Sequence, residues 1–160
     1  GKPLLFYPLL LKGKGKIVFG SAVRIGVELS PNFHLGYGYM EARDKNSEVV
    51  FGNNVRLNNG FSIVAVKRIE IGNDVIAGSY ISFHSENHNF SNTSKLIREQ
   101  GVISKGIKIG NNVWIGAKVT FLDGSTIGDN CVVAAGAVVN GIFPNNVVIG
   151  GIPAKILKEI

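Results

Sequence analysis

The chain has 160 residues, of which 45% are hydrophobic, so it is long and apolar enough to form one domain with a substantial core. Its 21 glycines make a helical bundle a poor candidate, and its single cysteine excludes a disulfide framework and a four-cysteine zinc site. The net charge of +6 favours an anionic partner without specifying which one.

The N-terminal segment, residues 1–18, contains an apolar run from Leu4 to Leu11 that is followed by lysines. This run is shorter than the roughly 18 residues that span a bilayer. Its basic residues follow the apolar stretch, whereas those of a secretion signal precede it. We expect residues 1–18 to cap the core, and a weak contact with a membrane surface is the alternative.

A five-residue phrase, with an apolar residue, Gly and two polar residues before a final small apolar residue, recurs along the chain. The copies are Phe51–Val55, Ile71–Val75, Ile109–Val113 and Ile127–Cys131, with a weaker copy at Phe19–Val23. In the C-terminal half, apolar residues also recur every six positions, at Ile109, Ile115, Phe121, Ile127, Val133 and Val139. A six-residue unit accommodates a short strand and a turn, and Gly, Asn and Asp tolerate the positive φ that tight turns need. The repeat therefore predicts an all-β coil with three strands in each circuit.

The phrases Ile109–Gly116 and Gly151–Lys155 closely resemble the hexapeptide-repeat acyltransferases. The resemblance is strongest to the sugar O-acetyltransferase branch, which includes galactoside and maltose acetyltransferases and enzymes that modify bacterial surface polysaccharides. It implies a left-handed parallel β-helix, a homotrimer, and acetyl-CoA as co-substrate with no metal required. We expect a single domain over residues 1–160, with an extended loop at 84–106 and a short tail at 150–160.

The extended loop interrupts the repeat between about His84 and Gly106, where polar residues replace the six-residue pattern. A long polar loop that leaves a regular repeat is a functional candidate. Two of the chain's three histidines lie at its start, and a neutral imidazole can act as a general base. The resemblance places the family's catalytic histidine at His88. His84 and Glu86 are candidates for the acceptor pocket, and either Glu86 or a main-chain carbonyl could orient an imidazole.

The acceptor site of the resembled enzymes is matched only in part. The resemblance places its asparagine at Asn58, which could equally be a turn residue. Its aspartate falls on Val66, so a carboxylate that binds sugar hydroxyls is absent. We therefore expect an acceptor other than a simple galactoside or maltose. The segment 31–47 lies outside the clear repeat and is a candidate cover for the acceptor.

The resemblance also implies a groove for acetyl-CoA. Its candidate residues are Trp114, Ala117, Ala135, Asn140 and Lys158. Small residues at 117 and 135 suit both tight turns and the close approach of a pantetheine arm. Asn140 and the following glycine replace a threonine-lysine pair of close relatives, so one cation is missing there. We expect Trp114 to be partly exposed, because an indole is too large for the interior of a narrow coil.

These features predict an acetyl-CoA-dependent O-acetyltransferase that acts on a sugar hydroxyl in bacterial surface-polysaccharide biosynthesis, in the cytoplasm or at the inner membrane face. The acetyl group would pass directly to the acceptor with a histidine as general base. An N-acetyltransferase of an amino sugar is the alternative. Less favoured are a zinc carbonic anhydrase-like enzyme with His34, His84 and His88 as ligands, and a non-catalytic β-helix. Nucleic-acid binding is not expected, because the basic residues are scattered without interleaved aromatic residues.

Overall fold

The computed structural model describes residues 1–30 and 33–160; Pro31 and Asn32, at the start of the candidate cover segment 31–47, lie outside the described residues. Short strands, numbered in chain order, form three parallel sheets that are the sides of a triangular coil. Successive strands lie in sheets A, B and C in turn, so three strands complete one circuit. The all-β repeat architecture predicted from the sequence is confirmed.

Sheet A contains β1 (Leu4–Leu5), β4 (Arg24–Ile25), β7 (Arg56–Leu57), β10 (Ile76–Ala77), β15 (Trp114–Ile115), β18 (Val132–Val133), β21 (Val147–Gly151) and β22 (Ala154–Glu159). Sheet B contains β2 (Leu9–Gly13), β5 (Gly38–Ala42), β8 (Ser62–Ala65), β11 (Ser82–Ser85), β16 (Thr120–Leu122) and β19 (Val138–Val139). Sheet C contains β3 (Lys16–Val18), β6 (Glu48–Phe51), β9 (Arg68–Ile71), β14 (Ile107–Ile109), β17 (Thr126–Ile127) and β20 (Ile142–Phe143). Outside these sheets lie the antiparallel pair β12 (Asn87–His88) and β13 (Val102–Ile103) and the 3-10 turn Ile97–Glu99.

The core is a column of apolar side chains inside the coil. All six residues of the six-residue pattern are at most 1% exposed, and they come from sheets C, A and B in rotation. Neighbouring circuits stack like residues on one another, as with the rings of Phe83 and Phe121, whose centroids are 4.6 Å apart. The period of six therefore reflects a position that faces inward once on each side of the triangle.

The recurring phrase forms the corner between sheets C and A. Its glycine faces the backbone of the next circuit: a Cβ on Gly72 would lie 2.5 Å from the carbonyl oxygen of Gly110. Its first asparagine forms a ladder, because the amide of Asn53 donates to Oδ1 of Asn73 at 2.8 Å and the amide of Asn73 donates to Oδ1 of Asn111 at 2.9 Å. The ladder satisfies corner amides that no strand partner reaches.

The next polar residue of the phrase adopts the left-handed conformation. Its φ is 55° at Asn54, 58° at Asp74 and 53° at Asn112. Asn and Asp tolerate this region better than other residues with a side chain. The phrase is thus explained residue by residue. Close approach of the backbone selects its glycine, side-chain hydrogen bonding selects the first asparagine, and positive φ selects the Asn or Asp that follows.

The structure refines three boundaries. Residues 1–18, predicted as a cap, contain the first circuit of the coil, β1 to β3, in register with the second circuit. His84 belongs to β11 of sheet B, so the extended loop begins at Glu86. The predicted tail contains β22, which runs antiparallel to β21 at the end of sheet A. Among the described residues, no helix is long and apolar enough to cross a bilayer.

Candidate active site

Two further corners carry six of the nine predicted site residues. We call the turns at 58–61, 78–81, 116–119 and 134–137 the A/B corner, since each links sheet A to sheet B. We call the turns at 66–67, 86–106, 123–125 and 140–141 the B/C corner. The long turn at 86–106 is the arm. It projects from the B/C corner in the fourth circuit of the coil.

The arm is a hydrogen-bonded hairpin. His88 lies opposite Val102 in the antiparallel pair β12–β13, and the amide of Asn89 donates to the carbonyl of Gly101 at 3.0 Å. At the tip, the side chain of Gln100 accepts from the amide of Asn92 at 3.0 Å and donates to its carbonyl at 2.9 Å. These bonds fix the backbone on which His88 is exposed to solvent.

Asp123 holds the returning limb of the arm. Its carboxylate is 7% exposed and accepts from the amide of Lys105 at 2.8 and 2.9 Å and from the amide of Gly106 at 2.9 Å. The hydroxyl of Ser104 donates to the carbonyl of Ser85, which is the last residue before the arm. Ser85 is buried, so this bond links the two limbs where they leave the coil.

We expect Asp123→Ala to loosen the arm without unfolding the coil. The substitution would leave the amides of Lys105 and Gly106 without their acceptor, at about 1–3 kcal/mol for the buried amide of Gly106 and less for the partly buried amide of Lys105. Trypsin should then cleave faster after Lys95 or Arg98 in the arm, and circular dichroism should retain the β signal. The control is Asp74→Asn, a surface substitution at the corner between sheets C and A, which is a different edge of the coil from the one that carries the arm. Equal cleavage rates in Asp123→Ala and the wild type would contradict the anchoring role.

The outgoing limb is held by ion pairs. The guanidinium of Arg43 pairs with the carboxylate of Glu86 and, at 3.0 Å, with that of Glu41. Tyr39 donates its hydroxyl proton to Glu41 at 2.9 Å. The hydrogen bond from Arg43 lowers the pKa of Glu41, and the bond to Glu41 raises the pKa of Tyr39. The bond to Glu41, followed by that to Glu86, raises the pKa of Arg43. Glu86 therefore tethers the arm to β5.

The predicted acceptor residues lie apart from one another. His84 projects from the outer face of β11, between Val64 of β8 and Leu122 of β16. Asn58 lies on the A/B corner, where its Oδ1 accepts from the amide of Asn59 at 2.7 Å. Within residues 1–30 and 33–160, neither His84 nor His88 has a side-chain hydrogen bond, and Glu86 bonds to Arg43 rather than to an imidazole.

Small residues stack along the A/B corner. The amide of Gly136 donates to the carbonyl of Ala117 at 2.9 Å, so Ala117 and the corner that contains Ala135 are on adjacent circuits. A Cβ on Gly116 would lie 2.5 Å from the amide nitrogen of Ala135, which shows how closely these circuits approach. Ala135 is exposed and Ala117 is partly exposed, so this edge offers unobstructed backbone to an extended ligand.

The indole of Trp114 lies outside the coil, as expected, and is 60% exposed on sheet A. It forms one side of a shallow depression with Ile76 and Val132, its neighbours in adjacent strands. Lys158 occupies the same row of sheet A at β22, three strands from Trp114, or about 14 Å at the usual strand spacing. Asn140 is exposed on the B/C corner.

Six of the nine candidate residues are therefore distributed over two edges of one protomer, and the other three lie in sheets A and B. Asn58, Ala117 and Ala135 lie on the A/B corner, whereas Glu86, His88 and Asn140 lie on the B/C corner. Sheet B separates these edges, and its strands of up to five residues make it roughly 13–17 Å wide.

The remaining histidine and the cysteine lie elsewhere. His34 is in the turn before β5, where its ring packs edge-on against Phe33 at 5.1 Å. In the part of the chain that the structure describes, no three His, Cys, Asp or Glu residues come together as a metal site would require. The thiol of Cys131 is buried and lies 3.2 Å from the carbonyl oxygen of Pro144.

Neither anchor of the arm, Asp123 or Arg43, is predicted by the sequence pattern. Asp123 precedes a glycine and has the sequence of an ordinary turn, although it lies one circuit beyond the residues that it binds. Arg43 was recognised only as part of the segment 31–47, and nothing local to it signals a partner 43 residues away. Once the repeat is counted, a charged residue that comes next to the arm from one or two circuits away is the signal that could have identified each.

Comparison with known proteins extends these observations. The family model described as bacterial transferase hexapeptide (six repeats) matches residues 106–141. Over 163 aligned residues the chain is 30% identical to the putative lipopolysaccharide biosynthesis O-acetyl transferase WbbJ of Escherichia coli (strain K12), covering 98% of this chain and 78% of that protein. Two other relatives, both acetyltransferases, are longer than this chain, and the match to this chain covers only 50% and 60% of their lengths.

Two solved structures share the fold. The maltose O-acetyltransferase from Clostridium difficile 630 superposes with a TM-score of 0.66 at 27% identity, covering 98% of this chain and 71% of that one. A hexapeptide-repeat acetyltransferase from Vibrio cholerae O1 biovar eltor, complexed with acetyl-coenzyme A, superposes with a TM-score of 0.54 at 27% identity, covering 96% and 71%.

Proposed function

Because this chain belongs to the hexapeptide-repeat acetyltransferases, in the sugar O-acetyltransferase branch with its left-handed parallel β-helix, we propose that it transfers an acetyl group from acetyl-CoA to a sugar hydroxyl. The structural observation that carries the proposal is an exposed imidazole, His88, on an arm anchored at both limbs to a rigid coil. The acetyl-CoA complex of the related Vibrio cholerae enzyme supports the choice of donor. The resemblance to WbbJ supports an acceptor in bacterial surface-polysaccharide biosynthesis.

The proposed reaction is a direct transfer. An unprotonated ring nitrogen of His88 takes the proton of a sugar hydroxyl as its oxygen attacks the thioester carbonyl. A backbone amide stabilises the negative charge of the tetrahedral intermediate. The C–S bond then breaks, and the proton passes from the imidazole to the CoA sulfur. The burial of Cys131 argues against a cysteine acyl-enzyme.

We propose that the active protein is a homotrimer with sites between protomers. The candidate donor residues Ala117 and Ala135 lie on the A/B corner, whereas the candidate base His88 and the candidate donor residue Asn140 lie on the B/C corner, across the width of sheet B. The residues of the A/B corner and those of the B/C corner can contact one ligand if the A/B corner of one copy faces the B/C corner of the next. A site shared between two protomers would require candidate residues on both edges, as is found.

The surface of the arm supports the same arrangement. Apolar side chains along it are exposed: Phe90 71%, Leu96 54%, Ile97 55%, Val102 46% and Ile103 50%. An extended apolar surface of this kind marks an interaction site in a stable protein. The adjoining copy is its natural partner, because the arm already lies at the edge that must meet that copy.

We place the protein in the cytoplasm, with a weak contact to the inner membrane face through its first circuit. Leu4, Leu5 and Leu11 are 53%, 57% and 49% exposed, and lysines flank them. No acidic residue precedes Glu28. Exposed apolar side chains together with a local positive charge favour an anionic lipid surface.

An acetyl-CoA consumption assay tests the proposed function. Purified protein is given acetyl-CoA with a panel of nucleotide sugars and lipid-linked glycans, and the products are treated with mild base. We expect acceptor-dependent release of CoA and an acetyl product that base removes, as an ester requires. A base-stable product formed only with amino sugars would replace O-acetylation by N-acetylation. Release of CoA that does not depend on any acceptor would contradict acetyl transfer.

A further inference from the structure

A basic hollow lies at the foot of the arm, on the side of the B/C corner that faces sheet C. It has a volume of about 320 Å³, which is the volume of about ten water molecules. Its charged lining residues are Lys67, Arg68, Lys105, Lys108 and Glu70. The backbone of Gly106, where the arm returns, also lines the hollow.

Strand register brings two of these lysines side by side. Ile107 of β14 lies opposite Ile69 of β9, so Lys105 and Lys67, each two residues earlier, reach the corner on adjacent circuits. Adjacent circuits are about 4.8 Å apart. Both lysines are exposed, and neither has an ion pair among the described residues.

The other charges around the hollow do not neutralise this pair. Arg68 is occupied by two carboxylates, Glu48 and, at 3.1 Å, Glu70. Lys108 lies between Glu70 and Thr126 in adjacent strands, and the one carboxylate of the lining, Glu70, pairs with Arg68. The hollow thus retains an excess of positive charge, with a hydroxyl from Thr126 on its wall. These are the groups that bind phosphate oxygens.

The hollow is within reach of the candidate base. His88 lies opposite Val102, about 5 Å away between Cα atoms, and Lys105 follows Val102 by three residues, at most about 11 Å of extended chain. The Cα atoms of His88 and Lys105 are therefore separated by no more than about 16 Å. Asp123 restrains the position of Lys105 relative to His88, because its carboxylate accepts hydrogen bonds from the backbone amide of Lys105.

We propose that this hollow binds the diphosphate of an acceptor in which the sugar is joined to a diphosphate group, and that this places a hydroxyl of the sugar at His88. The inference rests on the proposed acetyl transfer for its role, but the binding of diphosphate does not depend on that reaction. A nucleoside diphosphate sugar and a lipid diphosphate sugar present the same group to Lys67 and Lys105.

Calorimetric titration with inorganic pyrophosphate tests the site without any acetyl transfer. The double variant Lys67→Gln with Lys105→Gln should bind pyrophosphate at least about ten-fold more weakly than the wild type, since both charged contacts to the phosphate oxygens are removed. Lys2→Gln removes one exposed lysine from the first circuit and is the control, with unchanged affinity expected. Binding to the wild type should weaken as salt is added. Equal affinity in the double variant and the wild type would overturn the proposal.

Kinetics then test the role of the site. With a diphosphate-linked acceptor, the double variant should show a KM for the acceptor raised by about ten-fold, with kcat and the KM for acetyl-CoA unchanged. A rise in the KM for acetyl-CoA alone would assign the hollow to the donor and overturn the proposal. Pyrophosphate binding that the double variant loses, in a protein without acetyl transfer, would leave the site standing and refute the proposed function.

Competition distinguishes the two sources of the diphosphate. Uridine diphosphate and farnesyl diphosphate are compared with pyrophosphate as competitors of binding to the wild type. Tighter binding of uridine diphosphate supports a nucleotide-linked acceptor, and tighter binding of farnesyl diphosphate supports a lipid-linked one. Failure of both to displace pyrophosphate would show that the hollow accepts only small free anions and would overturn the acceptor role.

Discussion

His88→Ala should lower the turnover of acetyl-CoA with its sugar acceptor by about 100-fold or more while the coil remains folded. The expected loss corresponds to removal of a general base, because no other titratable side chain of the arm's first strand can replace the imidazole. The KM for acetyl-CoA should change little, since the proposed role of His88 is to take the proton of the acceptor hydroxyl during transfer and not to bind the donor. Steady-state kinetics with each substrate varied in turn measure both quantities.

His84→Ala is the matched control. His84 is also exposed and precedes His88 by four residues, but it projects from the outer face of β11 instead of the arm. We expect a smaller loss of turnover in this variant than in His88→Ala. Near-normal transfer by His88→Ala, or an equal loss in the two variants, would remove His88 from the role of base.

Gly72→Ala should lower the stability of the coil strongly, because its Cβ would meet the backbone of the next circuit. The new Cβ would lie 2.5 Å from the carbonyl oxygen and 2.7 Å from the carbonyl carbon of Gly110, so two circuits must move apart. That movement strains the ladder bonds from Asn53 to Asn73 and from Asn73 to Asn111, which are 2.8 and 2.9 Å long. Overpacking against backbone and weakened hydrogen bonds together imply a loss of about 3 kcal/mol or more, or roughly 10 °C in Tm.

Gly136→Ala separates steric contact from conformational strain. Gly136 has a φ of 72°, but nothing lies within 4 Å of an added Cβ. Its replacement should therefore cost only the left-handed strain of an alanine, about 1–2 kcal/mol. Thermal unfolding of the two variants and the wild type makes the comparison. An equal decrease in Tm for both variants would mean that close approach at the corner contributes nothing.

The regular part of the fold could be predicted from sequence because its physical cause repeats. Residues such as Ile109, Ile115 and Phe121 must each fill the coil interior once per side, so a period of six is visible without any structure. The corner phrase is equally local: close backbone approach selects glycine, and positive φ selects asparagine or aspartate. The first circuit was not recognised as such, because many of its outward-facing residues, Leu4 and Leu5 among them, are apolar and obscure the pattern.

The limits of the arm and its anchors could not be predicted with equal accuracy. His84 resembles a loop residue because it is polar, yet it faces outward from a strand whose neighbouring residue Phe83 is buried. Polarity alone does not distinguish an exposed strand position from a loop. Asp123 and Arg43 act across circuits, so their partners are distant in sequence and depend on how the circuits stack.

A crystal structure of the assembled protein with bound CoA measures the central geometry directly, as the distance from the imidazole of His88 to the CoA sulfur. For direct transfer with His88 as the base, we expect this imidazole to lie in a cleft between two copies of the chain, within roughly 5 Å of the sulfur. An imidazole more than about 10 Å from the sulfur, or a CoA bound within a single protomer away from the arm, would contradict it.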